Sequence, residues 1–262
     1  MECQNTIKKL KINKEKSIGK IVIVVEGESE EFKLLKHIFV DLFDYNYIPY
    51  KRNRGITDVL KSKTNKNSTV FIVNTSSSSM KSIFKDDDFE DKIYNLIMKD
   101  YKESLKNVPI FILWDRDKES NTKEMAIKGI DTYRNSQDND YGMNGLFLIS
   151  YPCVESYELS NFNKQAYLMK FTSSDEAKKE IKKDAKRYSL TNISENTIIN
   201  AAKNMHKSFM NLDIEKYDPS EFYKINKKIF EEEELTYQSK KYYPALSLIT
   251  VMLVDLGIIY ED

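Results

Sequence analysis

Three short apolar runs along this chain each end at an acidic residue. Ile21-Val22-Ile23-Val24-Val25 stops at Glu26-Gly27, and residues 108–114 stop at Asp115-Arg116-Asp117. The run 146–150 leads through Tyr151-Pro152-Cys153-Val154 to Glu155. A fourth run covers residues 69–73. Continuous β-branched and aromatic stretches of this length suit strands covered on both faces, as in a parallel sheet. After the first run a helical period takes over at about residues 29–43, with Phe32, Leu35, Phe39 and Phe43 on one face and Ile38 beside them. Gly27 is read as permitting the tight strand-to-helix turn, Ser29 as the cap, and Glu31 as a first-turn acid. Residues 47–51 form a candidate short strand. Gly55 and Thr57-Asp58 predict a turn and a short helix. Residues 76–79, all serine, read as a polar loop. The run Asp86-Asp87-Asp88 reads as a solvated helix start, with Ile93, Leu96 and Ile97 turned inward. A further helix is expected at residues 122–133. Strands alternating with helices predict an α/β fold with a mainly parallel sheet flanked by helices.

Beyond about residue 159 the pattern changes. Ser173-x-x-Glu176 is a capping-box signature that opens a helix to about residue 188. Residues 197–212, 219–234 and 243–254 also carry helical patterns. The expected organisation is a flexible lead-in at 1–19, an α/β domain at 20–160 and a helical region at 161–262.

Composition narrows the function classes. The chain has 262 residues, with 40% hydrophobic and 31% charged side chains, as in a water-soluble globular protein. Its 41 basic and 41 acidic residues cancel, so nucleic-acid binding would need a local patch. Cys3 and Cys153 are too few for a disulfide framework, which makes a reducing, cytoplasmic setting the default. The lysine-rich start lacks the apolar core of a signal peptide. The apolar stretch 244–260 is short for a membrane span and broken by Ser247, Thr250 and Asp255, so no membrane partner is expected. Two histidines and no Cys-x-x-Cys pair argue against zinc. No glycine-rich phosphate loop of the nucleotide-triphosphate or dinucleotide type is present.

The chemistry is expected where the strands end. If the strands are parallel, Glu26, the Asp115/Asp117 pair and Glu155 lie along one edge of the sheet. Their mutual repulsion is costly without a cation. Strand alternation would turn Asp115 and Asp117 the same way, with Cα atoms roughly 6.5 Å apart. Oxygen ligands of this kind suit Mg²⁺ or Mn²⁺. One acidic strand ending means little; several together, each behind its own buried strand, mean more. For substrate contact, Lys178, Lys182 and Lys186 fall on one row of the helix after Ser173, with Lys179, Lys183 and Arg187 on the next. That double row fits a phosphate backbone. It also fits a plain surface helix balanced by Asp175, Glu176, Glu180 and Asp184.

Strand–Glu26-Gly27–helix followed by strand–Asp115-x-Asp117 resembles the Toprim domain. Topoisomerases, bacterial primases, small RNA-maturation nucleases and overcoming-lysogenization-defect (OLD) nucleases share that domain. The resemblance spans roughly residues 20–160 and implies a Rossmann-like sheet with Mg²⁺- or Mn²⁺-dependent phosphoryl chemistry. The family glutamate falls on Glu26 and the aspartate pair on Asp115 and Asp117, as catalytic residues and metal ligands. In OLD-type nucleases a further acid follows on the helix, and Glu30 stands at that place as a metal ligand. The segment Pro152-Cys153-Val154-Glu155 is similar to an element of RloB-like proteins, Toprim nucleases of bacterial phage-defence loci, and marks Glu155 as another ligand. Glu158 lies one turn further on. Lys118 or Arg116 would then neutralise the phosphate. The implied function is a metal-dependent endonuclease acting on DNA or RNA, including tRNA. It would serve as an antiviral defence effector with a separately encoded ATPase partner of the ABC/SMC-like kind. Homo-oligomerisation stays open. A non-catalytic binding module, or a strand-transfer or primase-type enzyme, are the alternatives.

Overall fold

A computed structural model of the chain describes residues 9–27, 30–48, 57–74, 108–118, 121–136, 145–218 and 221–262. Ser29, Gly55, the serine loop at 76–79, Asp86 to Asp88 and the helix expected beyond them lie outside those residues.

The elements run β1 (Leu10–Ile12), β2 (Lys20–Val25), α1 (Glu30–Lys36), β3 (Tyr45–Ile48), β4 (Thr57–Ser62), β5 (Thr69–Asn74) and β6 (Ile110–Asp115). They continue with α2 (Lys123–Thr132), β7 (Arg134–Asn135), β8 (Gly145–Tyr151), α3 (Glu155–Phe162), β9 (Lys170–Phe171), α4 (Ser174–Lys183) and α5 (Glu195–Asn211). The last are α6 (Phe222–Lys240), β10 (Tyr243–Pro244), β11 (Leu246–Ser247), α7 (Ile249–Asp255) and β12 (Ile259–Glu261). Helix α1 runs straight into a π-helical stretch, His37–Leu42, so the expected helix is present but loosened in its second half.

The central sheet has the order β11-β8-β6-β2-β5-β4-β3, with β7 also paired to β8. Strands β8, β6, β2 and β5 are mutually parallel, and β11, β4, β3 and β7 add antiparallel margins. Residues Ile21 to Val25 are wholly buried at the centre. Both faces of β2 are covered, which is why the run is continuous rather than alternating. Burial of each such side chain contributes about 1.5–3 kcal/mol. Because the four central strands point the same way, the residues that follow β2, β6 and β8 gather at one edge.

Several expectations need correction. Residues 57–62 form strand β4, not a turn and short helix. Val59 and Leu60 point to opposite faces of the sheet and both are fully buried, so tertiary packing overrides the weak local signal. The start of the chain is not a loose lead-in throughout: Leu10–Ile12 pairs with Ile259–Glu261, and Lys11 forms an ion pair with Asp262. Finally, residue 160 marks a change in secondary structure without a break in the core. Phe209, Phe222, Ile229 and Met252 belong to the same buried cluster as Val22 and Phe147, and β11 joins the sheet beside β8. The part expected as a helix at 243–254 divides into β10, β11 and α7. A smaller apolar cluster, with Cys153, Leu159, Phe171, Ala177 and Tyr188, lies under α4, so Cys153 packs as a core residue. No helix among the described residues is long and apolar enough to cross a membrane.

A buried ion pair fastens α6 to the turn after β6. Arg116 is only 1% exposed. Its Nε donates to Glu234 Oε1 at 2.7 Å and its Nη1 to the Asn121 carbonyl at 2.8 Å. The Tyr243 hydroxyl donates to the same Glu234 oxygen at 2.7 Å. Burial alone would raise the Glu234 pKa, but these hydrogen bonds and the Arg116 charge hold it below the usual range. Glu234→Ala would strand a buried guanidinium, and urea denaturation should show a loss of about 3–5 kcal/mol. Since the folded pKa is depressed, the Glu234 contribution is present above the ordinary carboxylate range and fades on acidification. The gap between wild type and variant should therefore narrow as pH falls.

Candidate functional site

Four carboxyl groups lie at the carboxyl edge of the parallel strands, near enough for Asp115 to feel the charges of the other three. Glu26 follows β2 directly, Asp115 ends β6, Glu155 opens α3 behind β8, and Glu31 comes from the first turn of α1. The register sets Val25 of β2 beside Leu113 of β6, which places the Glu26 carboxylate at the level of the Asp115 backbone. It accepts hydrogen bonds from the Asp115 N–H and from the Asn121 side chain. Asn121 Nδ2 also donates to the Asp115 carbonyl at 2.9 Å, tying both strand ends together.

These acids are uncomfortable where they stand. Burial, reinforced by the charges of Glu31 and Asp117, pushes Glu26 up to about 8 despite its hydrogen bonds. Asp115 is pushed well above its ordinary value, first by burial and then by Glu31, Glu155 and Glu26. Glu31 is raised by burial and by Glu155 and Glu30. Glu158, 5% exposed, is raised to about 8 by burial and by the neighbouring Glu155. Lys178 on α4 opposes the charge on Glu31 and Asp115. The Oε2 atoms of Glu26 and Glu155 are buried and find no hydrogen-bond partner among the described residues. Buried acceptors are normally satisfied, so two orphans at one rim mark a place where a cation or donor would be favourable. Among the described residues, no three His, Cys, Asp or Glu side chains close into metal-holding geometry.

The residues expected at the site separate as follows. Glu26, Asp115 and Glu155 come together. Asp117 stands beside Glu26 and lines an adjoining cleft. Glu30 does not face the rim: it is about half exposed and pairs with Lys33 at 3.1 Å. Glu31 takes the inward place, one residue on. Arg116 is likewise corrected from phosphate ligand to core residue, since its guanidinium is buried against Glu234. Lys118 is exposed, with its ammonium 4.0 Å from the centre of the Tyr237 ring. Lys178 and Lys182 are both exposed on α4, and Lys178 lies near enough to feel the charges of Glu155 and Asp115. Lys186 falls beyond the end of that helix at Lys183, so the three lysines do not share one row.

Gly27 has a reason other than the one its place before a helix implies. Its φ is not in the left-handed range, but a Cβ there would lie 2.6 Å from Glu31 Oε2. The missing side chain leaves room for the Glu31 carboxylate. A flexible side-chain end can yield, so Gly27→Ala should change urea stability by less than about 1 kcal/mol. The Glu26 shift gives a second expectation. In the fold Glu26 keeps its proton up to about 8, against 4.5 ordinarily. The folded state therefore binds more protons in that window, and stability falls as pH rises through it. In EDTA, Glu26→Gln should melt progressively higher relative to wild type between pH 5 and 8, by differential scanning fluorimetry.

No family model matches the chain, and no curated protein matches it. Among solved structures, a hypothetical protein from Pyrococcus horikoshii OT3 aligns over 91% of this chain and 94% of its own, at 12% identity and a TM-score of 0.35. A likeness that weak carries no argument about fold or function.

Proposed function

We propose that this chain is a divalent-metal-dependent nuclease of Toprim type, with its site at the acidic rim. The observation that supports it most is the pair of orphaned buried oxygens, on Glu26 and Glu155, among carboxyl groups raised by burial and by one another. Glu26, Glu31, Asp115 and Glu155 would hold Mg²⁺ or Mn²⁺, with Asp117 at the margin. When bound, such an ion acidifies water and offsets charge on a phosphodiester. The chain's own groups do the rest. Asn121 and the Asp115 N–H orient Glu26, leaving its second oxygen for a cation or a proton. Lys178 supplies positive charge beside Asp115 and Glu155, where a phosphate would come to rest. Lys118 stands at the outer side, ready for the neighbouring phosphate. By the same resemblance, the enzyme would be a defence effector working with an ATPase partner.

A second reading, a binding module without catalysis, draws on the absence of a closed three-ligand group among the described residues. The two are separated by incubating the protein with supercoiled DNA, single-stranded DNA and total tRNA in Mg²⁺, Mn²⁺ or EDTA. Cleavage should require metal and fall about 100-fold or more in Glu26→Gln and in Asp115→Asn, with both variants folded. Equal cleavage by the variants would remove the site assignment. No cleavage, even with the ATPase supplied, would favour the binding module.

A further inference from the structure

A cleft of about 190 Å³ adjoins the acidic rim, lined by Asp117, Lys118, residues 172–175, Tyr237 and Tyr243. Its side wall is aromatic. Tyr237 and Tyr243 stack with centroids 4.6 Å apart and planes at 27°. Tyr243 is buried and anchored through its hydroxyl to Glu234, so the half-exposed Tyr237 ring rests on a rigid backing. The Lys118 ammonium sits 4.0 Å from the centre of the Tyr237 ring. Beside the cleft, on the β9–β10 ribbon, the pattern repeats: Lys170 lies 4.8 Å from the centre of the Tyr242 ring. At the cleft, α4 begins with Ser173 as its cap, and the Ser174 hydroxyl oxygen is buried without a partner.

We propose that this cleft receives one unpaired base of a single-stranded nucleic acid, next to the scissile phosphate. The proposal rests on the nuclease reading for that phosphate, but not for the base. A braced aromatic ring beside a mobile cation is the composition of a stacking platform, tolerant of sequence because every base has a π-face. Lys118 occupies the position above Tyr237 that a base would take. On entry of the base, its ammonium passes to the adjoining phosphate, exchanging a cation–π contact for an ionic one. A base inside a duplex is already stacked and paired and cannot enter, so the substrate class is single-stranded DNA or RNA, or an unpaired loop.

Binding of short labelled oligonucleotides, measured by fluorescence anisotropy in EDTA, tests this without cleavage. Wild type should prefer the single strand to the matching duplex and to a free nucleoside monophosphate. Tyr237→Ala should weaken binding about tenfold or more, Tyr237→Phe should retain it, and Lys118→Glu, on an exposed side chain, should weaken it and lower the salt dependence. Should Tyr237→Ala fail to fold, the Lys118→Glu result decides. Equal binding by wild type and both variants, or equal affinity for duplex or mononucleotide, overturns the proposal. Tyr237-dependent binding without metal-dependent cleavage would sink the nuclease and leave this subsite standing. Cleavage with Tyr237-independent binding would do the reverse.

Discussion

Repulsion among carboxyl groups at the sheet edge is the constraint that the rest of the molecule accommodates. Parallel pairing of β2 with β5 and β6, and of β6 with β8, brings the acids together whether or not they gain from it. Glu26, Glu31 and Asp115 then lose hydration and feel their neighbours, and both effects favour their neutral forms. Lys178 offsets part of this.

The opposing side is held by attraction. Arg116 lies between two acids in sequence yet serves the interior, where Glu234 and the Asn121 carbonyl occupy its fork. Asn121 then reaches forward to the Asp115 carbonyl and Glu26. A continuous hydrogen-bonded path thus runs from α6 to the acids. The same Glu234 oxygen anchors Tyr243, which backs the Tyr237 wall. One buried pair positions both the charged rim and the aromatic cleft.

The sequence made the parallel centre legible because β2, β6 and β8 are continuous apolar runs, a pattern that solvent-exposed strands do not show. Glu26, Asp115 and Glu155 were legible with them, as residues at strand ends. That Glu31 rather than Glu30 turns inward has a signal in the sequence. Glu31 stands four residues before Leu35 and seven before Ile38, on the apolar stripe, while Glu30 lies off it. Strand β4 was hidden because Asp58 and Lys61 mask a two-residue core segment. The β1–β12 pairing was hidden because its partners lie about 250 residues apart, and no local pattern carries such a contact. The burial of Arg116 was hidden because its partner, Glu234, lies 118 residues away in sequence.

That guanidinium uses two different nitrogens for two different acceptors, a carboxylate on a distant helix and a main-chain oxygen nearby. A lysine has one nitrogen at the end of its chain and cannot span both. The middle letter of Asp-x-Asp is therefore not a spacer in this protein. It braces the turn after β6 against α6, and loss of that brace would loosen the hydrogen bonds that hold Asn121 against Asp115.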